Sequence, residues 1–225
     1  SLPTAYRVNI EEMLLTVVAK ACVKVFAMPT MRFMLESHGR HAENDLQDLN
    51  RTVGWLTNEY PVLLAFDTNT VDPSVDLSMD VKTVKQALRQ TPDAGLGYSI
   101  LRYLDDSAAE IRAAEIAHRP SVLFNYLGRF TQSSADWTPQ AQQGRLADVF
   151  AVSVDGTAPV LYPLEVNIFV DESAGSPQLA IHWSSIDTII SSEVIHALHQ
   201  QVIDAIEQFR IFAELSSELA ADRKS

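Results

Sequence analysis

Apolar residues at Met13, Leu14, Val17, Val18, Ala21 and Val25 recur at the spacing of one helix face and predict a helix over 10–27. Asn9, followed three residues later by Glu12, has the form of a capping box, and Pro29 marks the stop. The period then falls to two. Met31, Phe33 and Leu35 alternate with Arg32, Met34, Glu36 and His38, which predicts a strand over 31–37 with a mostly polar second face. Residues 44–50 read as loop; 52–57 and 61–67 read as strand-like segments around Tyr60-Pro61, a region with the look of a strand followed by a turn.

Met79, Val81, Val84, Ala87 and Leu88 make 77–91 an amphipathic helix ended by Pro92. Residues 93–98, with Gly95 and Gly97, read as a loop entering a short helix. A strand is expected over 121–127, stopped at Gly128, then a polar surface loop over 131–144. Three more strands are expected over 146–152, 161–170 and 178–186, the last two joined by the Gly-Ser-Pro turn at 175–177. Val194, Leu198, Val202, Ile206 and Phe209 define a closing helix over 191–212, with Ser192 as its cap and a frayed, charged tail behind it. Strands interleaved with helices, without repeats or an internal linker, indicate one α/β unit with a mixed sheet and flanking helices over 1–225.

Composition narrows the function classes. Seventeen Lys and Arg against 29 Asp and Glu give a formal charge of −12, the wrong sign for a phosphate backbone, so no nucleic-acid partner is expected. No apolar run approaches the ~20 residues of a membrane span. Residues 1–7 lack the form of a secretory signal and Cys22 has no cysteine to pair with, so a cytoplasmic setting is expected. Cys22 reads as a buried small hydrophobe.

Metal chemistry has little support: His196 and His199 share a helix face at i, i+3, but no third acidic ligand is placed beside them by the sequence. The Asp93-Ala94-Gly95-Leu96-Gly97 run lacks the residues of a Walker loop or a dinucleotide fingerprint, and no Gly-x-Ser-x-Gly elbow is present. What remains is a series of polar segments among apolar strands. Each has a plain alternative, since strand ends often hold a carboxylate paired with Arg and Asn often closes a turn. For Glu36 the alternative is a surface pair with Arg32 or Arg40; for Asn125 it is closure of the turn before Gly128.

The segments, taken in order, are ESHGRH from Glu36 to His41, RTVGWLT from Arg51 to Thr57 with Tyr60-Pro61, PDAGLGYS from Pro92 to Ser99, and FNYLG from Phe124 to Gly128. Preceded by the acidic-leucine run Glu11-Glu12-Met13-Leu14-Leu15, this ordered set resembles the C-terminal half of an epimerization domain of nonribosomal peptide synthetases. The resemblance spans roughly residues 11–130. Ser37 and Ser99 stand where the family has glycine, His41 where it has a second glutamate, and Leu56 where it has an aromatic. The family's His-His-x-x-x-Asp-Gly motif, which lies in its N-terminal half and supplies a catalytic histidine, has no match here.

The resemblance implies a chloramphenicol-acetyltransferase-like fold of which this chain is the C-terminal lobe. It implies an isomerase reaction, the interconversion of L and D configuration at Cα of an aminoacyl or peptidyl thioester, in antibiotic or other secondary-metabolite biosynthesis. On this view the chain needs no cofactor of its own, because the substrate arrives on the phosphopantetheine arm of a peptidyl carrier domain. Further expected partners are the lobe with the His motif and a downstream condensation domain. Glu36, Asn125 and Tyr126 are the implied catalytic residues, and His38, Arg40, Trp55, Gly97 and Tyr98 the implied cleft lining. Two rivals stay open: a fragment of an amide-forming condensation domain, against which the Arg51–Trp55 segment argues, and a non-catalytic module that docks a carrier.

Overall fold

The structure, a computed structural model, describes residues 8–40, 49, 51–66, 73–130, 160–172 and 176–222. Helix α1 (Ile10–Phe26) begins as the sequence demands. The Asn9 side chain accepts from the Glu12 N–H at 2.7 Å while the Glu12 carboxylate accepts from the Asn9 N–H at 2.9 Å, so two otherwise orphaned donors are satisfied reciprocally. It ends one residue short of expectation, at the left-handed Ala27, ahead of Pro29. Strand β1 (Thr30–Ser37) follows, then β2 (Asn58–Ala65), α2 (Pro73–Gln90), a 3-10 turn (Pro92–Gly95), α3 (Leu96–Tyr103), α4 (Ala109–His118), β3 (Val122–Phe130), β4 (Leu164–Asp171), β5 (Gln178–Ser185) and α5 (Ser192–Asp222).

The sheet order is β2-β1-β3-β4-β5. The central strands β1, β3 and β4 run parallel, and β2 and β5 pair antiparallel at the two edges. Such a parallel centre must be covered. Phe33 and Leu35 of β1, Val122 and Phe124 of β3, and Leu164, Val166 and Ile168 of β4 lie in one core with Leu15 and Val18 of α1, Val81 and Val84 of α2, and Leu198, Val202 and Phe209 of α5. The ion pair from Lys20 Nζ to the buried Asp80 carboxylate, 2.6 Å, ties α1 to α2 within this layer.

Several expectations are corrected. Residues 52–57 form no strand; they run as an exposed segment, and β2 starts only at Asn58. Tyr60-Pro61 therefore lies inside one strand and not between two. Pro61 sits within β2 opposite Met34, tolerated because β2 is an edge strand. The second face of β1 is less polar than alternation implies, since Met34 is fully buried in a small cluster with Leu123 and Tyr162. Gly128 does not stop β3: with φ of +89° it takes part in an irregularity between Tyr126 and Arg129, and pairing resumes at Arg129–Val170. The α4 helix was not expected. At the end, Ser191 rather than Ser192 occupies the cap position, its carbonyl accepting from the Ile195 N–H, and α5 continues to Asp222 where a frayed tail was expected. The loop expected at 131–144, the strand at 146–152 and most of the loop at 44–50 lie outside the described residues.

Candidate functional site

A cavity of about 440 Å³ opens at the carboxyl ends of β1 and β3, where parallel strands in α/β sheets commonly present ligands to a crevice. Glu36, Ser37 and His38 reach it from the end of β1, and Asn125, Tyr126 and Leu127 from β3. Tyr60, Trp55 and Thr57 line it from β2 and the segment before it, and Glu11 from the first turn of α1.

Glu36 and Asn125 meet because of the strand register. Leu35 pairs with Phe124, so the next residue of each strand falls on the opposite sheet face, side by side. The Asn125 amide Nδ2 donates to Glu36 Oε2 at 2.5 Å. Asn125 thus closes no turn. No ion pair between Glu36 and Arg32 or Arg40 is formed. Burial, and after it the negative charges of Glu59 and Glu165, push the Glu36 carboxyl up to about 7. A carboxyl titrating there both takes up and releases a proton near neutral pH.

The rest of the lining has its own electrostatics. Burial, with neighbouring Glu12 adding to it, also raises Glu11, whose carboxyl has no hydrogen-bond partner among the described residues. Tyr60 is pushed up to about 12 by burial and by Glu11, so its hydroxyl stays a donor at any working pH. Burial raises the partly buried Tyr126 phenol as well. His38 accepts at Nδ1 from the Arg40 N–H, 3.0 Å, which leaves the proton of a neutral ring on Nε2.

The sequence-expected residues divide. Glu36, Asn125, Tyr126, His38 and Trp55 share the cavity, with Trp55 88% exposed at its rim. Arg40 does not line it. Its guanidinium donates to the carbonyls of Leu49, 2.5 Å, and Thr52, 2.9 Å, and so holds the segment that carries Trp55. Gly39, with φ of +61°, lies under the Leu56 carbonyl so closely that a Cβ has no room there. Gly97 and Tyr98 also lie elsewhere: both are on α3, and Tyr98 lines a separate groove with Pro61, Ile111 and His118. Ala94, from the same glycine-containing segment, is the residue that reaches the cavity. Sequence reasoning passed over Glu11, Tyr60 and Thr57 as lining residues, although all three lie in motifs that it singles out.

His196 and His199 do not converge on one centre: His196 Nδ1 bonds the Ser192 carbonyl, and Trp183 Nε1 donates to His199 Nδ1. Among the described residues no His, Cys, Asp and Glu group is disposed to hold a metal, and no helix is long and apolar enough to cross a membrane.

Comparison with known proteins locates this architecture. The profile of the condensation domain matches residues 1–210. Vanchrobactin synthetase VabF of Vibrio anguillarum is 40% identical over 203 residues, which cover 89% of this chain and 7% of the synthetase. Bacitracin synthase 3 of Bacillus licheniformis is 31% identical over 212 residues, 90% of this chain and 3% of the synthase. The chain thus spans under a tenth of either relative. Among solved structures, the epimerization domain from the third module of tyrocidine synthetase B superposes with a TM-score of 0.72 at 24% identity, covering 95% of this chain and 44% of that one. The first condensation domain of the CDA synthetase superposes at 0.55 and 15% identity, covering 92% and 41%. The mixed sheet with flanking helices is the condensation-domain, chloramphenicol-acetyltransferase-like fold.

Proposed function

The chain belongs to the condensation-domain family of nonribosomal peptide synthetases, and from that premise we propose that it is the C-terminal lobe of an epimerization domain, with Glu36 one of its two proton-transfer groups. The observation that carries the reading is the Glu36–Asn125 pair: a carboxyl titrating at about 7, oriented by an amide, on the wall of an open cavity.

The substrate is an aminoacyl or peptidyl thioester delivered on the phosphopantetheine arm of a peptidyl carrier domain; the arm belongs to the carrier, and the lobe brings no cofactor. Glu36 removes the Cα proton, and the electron pair spreads onto the thioester oxygen as an enolate. A second group on the opposite side returns a proton, so one C–H bond breaks, one forms, and nothing is oxidised. Microscopic reversibility makes Glu36 the acid in the other direction. Asn125 orients the carboxyl, and the Tyr126 hydroxyl, kept protonated, is a donor for the enolate oxygen. The second group comes from the lobe with the His motif, which completes the cleft. A downstream condensation domain then accepts the product, all within the cytoplasm.

The experiment uses a two-lobed protein containing this chain. Glu36→Gln keeps the size and the bond from Asn125 but removes the proton carrier. We expect it to bind loaded carrier normally and to lose Cα exchange with solvent deuterium from at least one face by ~100-fold or more. Near-normal exchange and epimerization in Glu36→Gln defeat the assignment. The family profile itself favours a second reading, amide formation between two carrier-bound substrates. An amide product from the wild-type protein, with no Cα exchange, establishes that reading instead.

A further inference from the structure

Glu36 stands between two cavities. The one already described opens toward Asn125 and Tyr126; the other, of about 580 Å³, lies along the same sheet face and is lined by Glu36 with Glu59, Glu165 and Tyr162. Glu36 and Glu59 are direct cross-strand partners in the β1–β2 ladder, both on the face opposite the layer of α1, α2 and α5, and Glu59 also stands beside Ser99, Arg102 and Tyr103 of α3. Glu165 reaches the cavity from β4, where it pairs with Leu123. Three carboxyl groups from three strands thus converge on one sheet face, beside the Glu36–Asn125 bond.

That arrangement works against folding. Like charges directly opposite each other in a sheet are destabilising, and burial sharpens the repulsion. Arg102 and Arg119 line a further cavity with Glu59 and Tyr162, so the cationic groups stand beside Glu59, while Glu36 and Glu165 face each other along the sheet without them. The Tyr162 hydroxyl donates to Glu59 Oε2 at 2.7 Å, which fixes Glu59 across from Glu36. Violations of local rules that the surrounding structure maintains are characteristic of functional sites.

We propose that Glu59 and Glu165, held on one sheet face with Glu36, are positioning residues whose charge acts on the Glu36 carboxyl during proton transfer. The inference rests on the proposed reaction and adds to it the groups that poise its proton carrier. The groups that face Glu36 from each packed element are Glu59 on β2, Asn125 on β3 and Glu165 on β4, with His38 next along its own chain segment. Glu11 and Tyr126 share its first cavity. Burial raises Glu36 first and the two carboxylates add to it, while Arg102 and Arg119 act on Tyr162 rather than on Glu36. Glu165 is itself raised, by burial and then by Glu59, as a member of one interacting set.

The test separates titration from turnover. In the 225-residue chain, carboxyl carbon NMR follows Glu36 directly, and we expect a midpoint near 7. In Glu59→Gln, whose amide oxygen still accepts from Tyr162, the midpoint falls by about 0.5–1 pH unit. Glu165→Gln lowers it by less, and in neither variant does it reach the ordinary carboxylate range, because burial remains. In the two-lobed protein the inflection of Cα exchange against pH moves with it, a response that a purely structural role does not produce. Should Glu59→Gln misfold, Glu165→Gln on another strand gives the same measurement. A Glu36 midpoint unmoved in both variants of a protein that epimerizes overturns the inference and leaves the epimerase reading standing. A midpoint that moves as expected, in a protein whose wild type shows no Cα exchange, overturns that reading and with it the catalytic role of the two carboxylates.

Discussion

The two faces of one sheet ask different things of adjacent residues. On the helix-covered face, Leu35, Phe124 and Val166 follow one another across β1, β3 and β4, each at most 1% exposed and each part of the apolar core. On the other face β1 passes from Met34 to Glu36 and β3 from Leu123 to Asn125, while β4 is already polar at Glu165, beside Leu123. The first face holds the fold together; the second trades some of that stability for a carboxyl of altered proton affinity. In β1 and β3 the polar residues lie at the carboxyl ends where the cavity opens, while β2 and β4 supply Glu59 and Glu165 from their amino ends.

Truncating neighbours that differ only in face tests this contrast most strongly. Phe33→Ala removes a ring from the centre of the three-helix layer and is expected to cost ~3–5 kcal/mol in denaturant unfolding. Met34→Ala, one residue on, empties a three-residue cluster and is expected near the low end for such truncations, ~2–3 kcal/mol. A larger loss at Met34 than at Phe33 breaks the assignment of stability to the helix-covered face.

The helix-covered face was legible in the sequence because burial there is uniform: period two in β1 and period 3.6 in α1 and α5 each identify the side that faces the core. The opposite face was legible only in part. Alternation assigns Met34 to a polar side, and only the placement of Leu123 and Tyr162 shows why it is buried. Gly128 looked like a stop because a bulge has no local signal that distinguishes it from a turn. Of the site, Glu36, Asn125, Tyr126, His38 and Trp55 came from motifs, whereas Arg40 reads the same in sequence whether it faces a ligand or two backbone carbonyls. The coupling of Glu36 to Glu59 and Glu165 depends on register across four strands, which no single segment contains.

A pH series sharpens the comparison at the polar end. Glu36 titrates at about 7 in the folded chain against 4.5 for the free side chain, so between those values the native state holds a proton that the unfolded state has lost. Stability contributed by this group is therefore unaffected below pH 4.5 and falls as pH rises toward 7, beyond which the native state carries the full cost of a half-buried charge. The shift corresponds to at most ~3 kcal/mol, and partial exposure reduces the expected effect to roughly 1–2. Glu36→Gln should match wild type near pH 4 and exceed it by that amount at pH 8. A wild type that is the more stable of the two at pH 8 contradicts both the direction and the trade-off.

The smallest expected effect lies at the edge of the same polar face. In β2 the alternation is complete: Leu64 is fully buried in the core, and Leu63, its neighbour, is 56% exposed. Leu63 lines a groove with Tyr98 and Ile111 but keeps most of its surface in water, so truncating it removes little that folding buried. Leu63→Ala should change unfolding free energy by no more than ~0.5 kcal/mol, as for other exposed positions. Because β2 is an edge strand, the side chain also has sheet neighbours on one flank alone, which limits what cross-strand packing contributes. A loss above ~1.5 kcal/mol contradicts this, since it requires that Leu63 be covered in solution. The polar face would then be a covered surface at its edge, and the division of labour between the two faces would hold only around Glu36.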